Sequence, residues 1–383
     1  MNIGLIDNDL CSTKKQHYPN LALMKLSSFH KNNGDNVELI PIDEMNGLFQ
    51  AQYDKVYCAK VFSDTETPKY LQNKGIVFGG SGFYFDKAEK LPFEIEHSMP
   101  DYNLYSDMVI KSFVPSNRIS QFKDFSIGFM TRGCIRKCDF CINRNETKVY
   151  RHSPVREFLD EKRPFIMLWD DNIIAFKEYE KVFSELNETN KPFIFKQGMD
   201  FRLFNKHTMD VVFNSNYFSY GGIKQNKALR IFHFAFDNIK DAKKIEENLI
   251  LYHKNRSYAC RIMFYVLIGF DRAAKYDNDF YKSDFESLLF RIKILFKYRA
   301  SPYIMCHENY KKSPLLKHIE AIRKICNYPA YISNKTIRQA LEISSLTITI
   351  EYLKANYEWF LNLKLDSLLG KIDPNTLDEP LSF

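Results

Sequence analysis

The chain has 383 residues, 45% hydrophobic and 26% charged, with a formal net charge of +7; it is long enough for one large domain or two to three ordinary ones and can bury a core, which excludes disorder as its main state. The apolar stretch Ile262 to Phe270 falls far short of the roughly 20 residues of a membrane-spanning helix, and Met1-Asn2-Ile3-Gly4 lacks the basic and apolar regions of a secretory signal, so a cytoplasmic protein without a membrane partner is expected. The mild basic excess suits an evenly Lys-rich surface; a nucleic-acid partner stays open, but no Lys/Arg run demands one.

Residues 1–85 read as a small α/β unit. Asn2 to Asp7 is a short apolar strand, and Pro19-Asn20 opens a helix whose apolar positions Leu23, Leu26 and Phe29 step by three, with Gly34 at its stop. Further strands are expected at Val37 to Ile42, Asp54 to Phe62 and Gly75 to Phe78, the last followed by Gly79-Gly80-Ser81-Gly82. Strand–helix–strand alternation argues for a parallel, Rossmann-like sheet. Residues 86–124, with Pro92, Pro100 and Pro115 and no clear period, read as a connector.

From Phe125 six apolar runs follow: Ile127 to Met130, Phe165 to Trp169, Phe193 to Phe195, Ile231 to Phe236, Ile262 to Ile268 and Tyr303 to Met305. Each gap has room for a helix, most clearly Ser283 to Tyr298, where Ser283 and Glu286 suit a capping box. Six βα units in series predict a partial barrel or an open wound sheet over residues 125–312. A helical region, residues 313–383, completes the chain, with helices expected at Leu315 to Asn327 and Thr336 to Lys354 and a loose tail after Gly370.

Three of the eight cysteines fall together, as Cys134-x-x-x-Cys138-x-x-Cys141, directly after the first of these strands. In a reducing compartment such a cluster points to metal rather than to disulfides. Three thiolates can hold three irons of a cubic cluster and leave the fourth iron for another molecule, unlike a four-cysteine electron carrier or a closed structural zinc site. His152, eleven residues on, fits no usual zinc spacing.

This segment resembles the signature of the radical S-adenosylmethionine superfamily, C-x-x-x-C-x-aromatic-C on the loop after the first barrel strand, with Phe140 in the aromatic position. The resemblance covers residues 120–310, and residues 1–85 look like the N-terminal domain of cobalamin-dependent members. It implies a partial (β/α)6 TIM-type barrel after a cobalamin-binding-like domain. It also implies that Cys134, Cys138 and Cys141 ligate a 4Fe–4S cluster, that the open iron takes the amino and carboxylate groups of S-adenosylmethionine, and that Phe140 packs near the adenine. Reductive cleavage then gives methionine and a 5′-deoxyadenosyl radical, which abstracts hydrogen from a substrate that the sequence does not name. A reductant such as flavodoxin or ferredoxin is expected.

Other strand ends supply candidates for cofactor contact. Asp170, Asp171 and Asn172 stand where the family contacts the cofactor's amino group, often through Gly-Gly-Glu, although such residues also cap helices. Gln197, Asp200 and Arg202 follow the third strand, where Arg202 suits a carboxylate or a surface ion pair. Asp237 ends the fourth strand and shares a face with His233; Gly269 ends the fifth; Cys306, His307 and Glu308 end the sixth. Cobalamin itself is doubtful, because the first βα loop, Asp7-Asn8-Asp9-Leu10-Cys11, lacks the Asp-x-His-x-x-Gly segment of base-off binding. A cobalamin-dependent radical methyltransferase and a non-catalytic metal-binding module remain the alternatives.

Overall fold

The computed structural model describes residues 1–11, 18–40, 52–72, 75–224, 227–255, 260–368 and 372. It is a mixed α/β protein with parallel sheets. Contacts gather the chain into two units: Met1–Asp171 with Glu188–Phe193, and Asn172–Asn187 with Ile194–Phe383.

Four parallel strands open the first unit. β1 (Asn2–Asp7), β2 (Asn36–Leu39), β3 (Lys55–Ala59) and β4 (Ile76–Gly79) stand in the order β2-β1-β3-β4. Five of the six β1 residues are buried, as a central strand covered on both faces requires. Helix α1 (Leu21–Asn32) follows β1; Asn20 caps it by accepting Leu23 N at 3.3 Å. The second strand starts a residue early, and positions 41 and 42 of the expected Val37–Ile42 lie outside the described residues. The third ends at Ala59, short of Phe62, because the next residue turns out to meet the glycine turn: Lys60 O accepts Gly82 N at 2.9 Å.

Residues 86–124 join this unit's core. Short helices at Phe93–Glu96, Asp107–Phe113 and Ile119–Lys123 place Ile95, Val109, Ile110 and Phe122 in one cluster with Ile3, Leu5 and Leu23. Helices of one or two turns are too short to write a periodic stripe into the sequence. Next, β5 (Phe125–Gly128) leads to a two-residue ribbon, β6 (Thr131–Arg132) antiparallel to β7 (Tyr150–Arg151). β8 (Phe165–Leu168) pairs in parallel with β5, and Ile166 N donates to Pro192 O at the start of β9 (Phe193–Phe195).

In the second unit β10 (Ile231–Ala235), β11 (Arg261–Ile268) and β12 (Ser301–Cys306) form a parallel sheet in that order. Along β11 the residues alternate half-buried and buried without a break. One face, with Phe232, Phe234, Phe264 and Val266, is fully buried; Phe213 meets Phe232 at 4.6 Å and Tyr252 at 5.2 Å. The other face, with His233, Ala235, Met263, Tyr265 and Leu267, stays half-buried. All six apolar runs are therefore strands.

The helix expected from Ser283 begins earlier, as Asn278–Lys297, because Asp277 caps it by accepting Phe280 N at 2.9 Å; Ser283 and Glu286 lie inside it. The helix expected over Thr336 to Lys354 is two, Ile337–Ile343 and Thr347–Asn356, parted at Ser345 with its φ of 56°. The capping box belongs to the first of these, between Thr336 and Gln339. The Leu315 to Asn327 expectation is met by Leu316–Cys326. Most of the tail after Gly370 lies outside the described residues. No described helix is long and apolar enough to cross a membrane.

Candidate functional site

The three cysteines sit on a loop, residues 133–149, closed at its neck by the β6–β7 ribbon, where Thr131 faces Arg151 and Arg132 faces Tyr150. His152 N adds a bond to Met130 O at 2.9 Å. Gly133 enters the loop at φ +91°, and a Cβ there would lie 2.3 Å from Lys148 O. Only glycine lets the entering and leaving chains cross so closely.

Within the loop, Cys134, Cys138 and Cys141 are all half-buried. Arg136 N donates to Cys134 Sγ at 3.3 Å and Asn143 N to Cys141 Sγ at 3.4 Å. A turn joins the second and third cysteines, Cys141 N donating to Cys138 O at 2.9 Å. The thiolate is the form of cysteine that binds metal.

Two carboxylates at the end of β8 hold this loop. Asp170 is 2% exposed and accepts Met130 N at 3.2 Å, Thr131 N at 2.5 Å and Thr131 Oγ1 at 2.6 Å. Burial pushes its carboxyl up to about 6, against the pull of those donors. Asp171 accepts Gly133 N on Oδ2 at 2.8 Å and Asn143 Nδ2 on Oδ1 at 2.7 Å, with Arg132 Nε at 3.5 Å. The far side of the loop is tied to Asp86, which accepts Arg144 Nε at 2.7 Å and Asn145 Nδ2 at 2.9 Å; Arg144 holds that carboxyl below its usual range. Beside it Phe85, at φ 48°, lies under the Arg144 guanidinium at 5.4 Å.

Three thiol sulfurs on one loop are a donor set of the kind that an iron–sulfur cluster takes. Among the described residues no group of three or more His, Cys, Asp or Glu side chains is placed to hold one metal ion. A cubic cluster spreads its ligands, because each thiolate binds a different iron. Three sulfur donors, with N–H bonds to the first and last, suit that demand.

The glycine turn at the carboxyl end of the first sheet has a local purpose. At Gly80, φ +99°, a Cβ would lie 2.3 Å from Lys60 O, so the turn packs on the Lys60 backbone. The loops beyond β1 and β3 bond to each other: Asp9 accepts Val61 N and Thr65 Oγ1, both at 2.7 Å, and Asn8 Nδ2 donates to Glu66 O at 3.3 Å. In a sheet of this order, ligands bind at the switch point between those strands. Asn8 Oδ1, in the same crevice, is buried without a hydrogen-bond partner among the described residues.

The remaining candidates lie in the second unit. Arg202 pairs with Asp200 through Nε at 2.7 Å and with Asp241 through Nη1 at 2.7 Å, and these carboxylates raise its already high pKa despite its partial burial. Gln197 is exposed and Asn172 buried. Burial pushes Asp237 up to about 6, while its Oδ1 accepts Leu267 N at 3.2 Å. The guanidinium of Arg291, 1% exposed, donates to Phe236 O and Asp237 O at 3.0 Å each. His233 stacks on Tyr265 at 5.8 Å; burial, with Lys196 nearby, pushes it down to about 4, so it is neutral at pH 7. Burial pushes the Cys306 thiol up to about 11. Gly269 N donates to Asp284 at 2.7 Å. Sequence reasoning missed Gly133, Asn143 and Asp86; of these only Gly133, next to the first cysteine, had a visible signal.

No protein-family model matches the chain, and no curated protein matches it. Two solved structures similar to it are both of the cobalamin-dependent S-adenosylmethionine radical enzyme OxsB. With aqua-cobalamin and S-adenosylmethionine bound, the TM-score is 0.37 at 12% identity, over 96% of this chain and 58% of that one. With aqua-cobalamin alone it is 0.34 at 13% identity, over 80% and 49%. The chain thus spans about half the length of that enzyme.

Proposed function

We propose that this chain is a radical S-adenosylmethionine enzyme. The observation that carries the reading is the three-cysteine loop itself: the spacing of Cys134, Cys138 and Cys141 with Phe140 between the last two, on a loop that leaves a parallel strand and is cinched at its neck. In this reading the three thiolates hold a 4Fe–4S cluster, which leaves one iron open. Such a cluster supplies one electron to the sulfonium of S-adenosylmethionine, breaking a carbon–sulfur bond to give methionine and a 5′-deoxyadenosyl radical that takes hydrogen from substrate.

The chain's own residues hold the loop and bind the cofactor. Phe140 offers a face to the adenine. Beside the Asp170–Asp171 pair, Asn172, Gln197, Asp200, Arg202 and Asp237 remain proposed cofactor contacts, with Arg202 already shared between two carboxylates. The loop and its ribbon, residues 131–151, carry six cations and two carboxylates, a balance that suits an acidic electron carrier such as flavodoxin or ferredoxin. The six strands serve as a partial (β/α)6 barrel over residues 125–312, after a Rossmann-like domain at 1–85 and a connector at 86–124, with residues 313–383 as a helical end.

Anaerobic reconstitution tests the reading. Wild type should take up iron and sulfide and give an electron paramagnetic resonance signal that changes on adding S-adenosylmethionine. Cys134→Ala, Cys138→Ala and Cys141→Ala should each lose that change, while Cys306→Ala keeps it. A wild type that binds zinc tightly and assembles no cluster would reject the proposal in favour of a metal-binding module.

A further inference from the structure

Asp171 follows the second strand of this run, where the sequence expectation is a contact to the cofactor's amino group. The geometry gives its carboxylate other partners. Oδ2 accepts the backbone N–H of Gly133, the residue before the first cysteine, at 2.8 Å. Oδ1 accepts the side-chain amide of Asn143, two residues after the last cysteine, at 2.7 Å. One carboxylate thus ties the entrance of the loop to the segment just past its last cysteine. The backbone of Asn143 in turn donates to Cys141 Sγ at 3.4 Å, so this residue links carboxylate and sulfur. The Asp171 side chain is 11% exposed, so little water competes for these bonds.

We infer that Asp171 is the positioning residue of the cysteine loop, setting the distance between the first and last cysteines through Gly133 and Asn143. Its purpose rests on the cluster reading above, but its geometry does not. The segment between residues 133 and 143, which carries all three cysteines, loses conformational freedom when those two points are fixed, and a clamp that fixes them beforehand spares the cluster that cost. Ribbon pairing and Asp170 hold the neck from outside. Asp171 reaches across from Gly133 to the segment after Cys141.

The test uses exchange and a swap. Hydrogen exchange is measured on the metal-free full chain, over peptides covering residues 131–152. Asp171→Ala should speed exchange there by about tenfold or more, with β1 to β4 unchanged. Asn143→Ala, which removes one of the two ties, should do so by less. In Asn143→Asp two acceptor-only carboxylates face each other, so exchange should rise. Adding Asp171→Asn keeps an oxygen toward Gly133 and restores a donor opposite an acceptor, so the double variant should return to within about threefold of wild type.

On reconstituted protein the same order should appear in the rate at which a chelator removes iron: Asp171→Ala fastest, the swapped pair near wild type. Exchange within twofold of wild type in Asp171→Ala, or a swapped pair no better than Asn143→Asp alone, would overturn the inference. Because exchange is read without metal, failure of wild type to assemble a cluster would count against the function and leave this result to be decided on its own.

Discussion

Gly133→Ala tests whether the neck organises the cysteine loop. The residue sits at φ +91°, where a side chain is strained, and its new Cβ would lie 2.3 Å from Lys148 O. The backbone penalty is about 1–3 kcal/mol. The contact cannot be relieved by a rotamer change, because the atom struck is backbone, so the crossing chains must part by nearly an ångström. Parting strains the Gly133 N–H bond to Asp171, worth about 1.5–3 kcal/mol as a charge-assisted bond, and the adjoining ribbon. The combined local cost is about 3–6 kcal/mol. It falls on a loop outside the packed sheets, so the expected result is local opening with an almost unchanged global melting transition. Exchange over residues 131–152 should rise by two orders of magnitude or more, and reconstituted protein should retain under a tenth of the wild-type iron. Wild-type exchange and wild-type iron in Gly133→Ala would refute the reasoning.

Burial pushes the Asp7 carboxyl up to about 7, although it accepts Tyr105 OH at 2.6 Å. The folded state then holds this proton more tightly than the unfolded one. Its contribution is full below about pH 4 and is lost as pH rises to about 7, a change of about 4 kcal/mol. Denaturant titrations should show a flatter stability curve for Asp7→Asn across that window; a wild-type slope in the variant counts against it. Arg291→Ala should lower stability by about 3–5 kcal/mol in urea unfolding, because it leaves buried carbonyls at Phe236 and Asp237 without their donor and the nearby Asp237 and Asp284 without their cation. A loss below 1 kcal/mol would contradict that burden. Asp86→Ala, which frees Arg144 and Asn145 on the outer side of the loop, should weaken iron retention severalfold without changing the spectroscopic signature; an altered signature would mean that Asp86 shapes the cluster's surroundings directly.

What was legible in the sequence follows from how each feature is encoded. Strands covered on both faces write continuous apolar runs, as Asn2–Asp7 and Phe125–Gly128 do, and the other strands could be read within a few residues from their apolar buried positions. The cysteine cluster was legible because metal ligands must be specific residue types at short spacing. Helix starts were less so: Ser283 looked like a cap, but Asp277 does the capping. Residues 93–123 hid their helices because such short elements leave no period. The Asp170–Asp171 pair was visible, but its bonds to Thr131, Gly133 and Asn143 were not, because they cross 28 to 39 residues of chain and depend on which strands are neighbours. The glycines at positions 80 and 82 pack on Lys60, a partner their sequence context does not show. A glycine signals close approach and does not name the partner.

The most direct measurement of the central claim is product analysis. Reconstituted protein is incubated anaerobically with S-adenosylmethionine and dithionite, and nucleosides are read by mass spectrometry. The account predicts 5′-deoxyadenosine from wild type and none above background from Cys138→Ala. Equal 5′-deoxyadenosine from both, or none from a wild type shown to hold an intact cluster and supplied with substrate extracts, would contradict it.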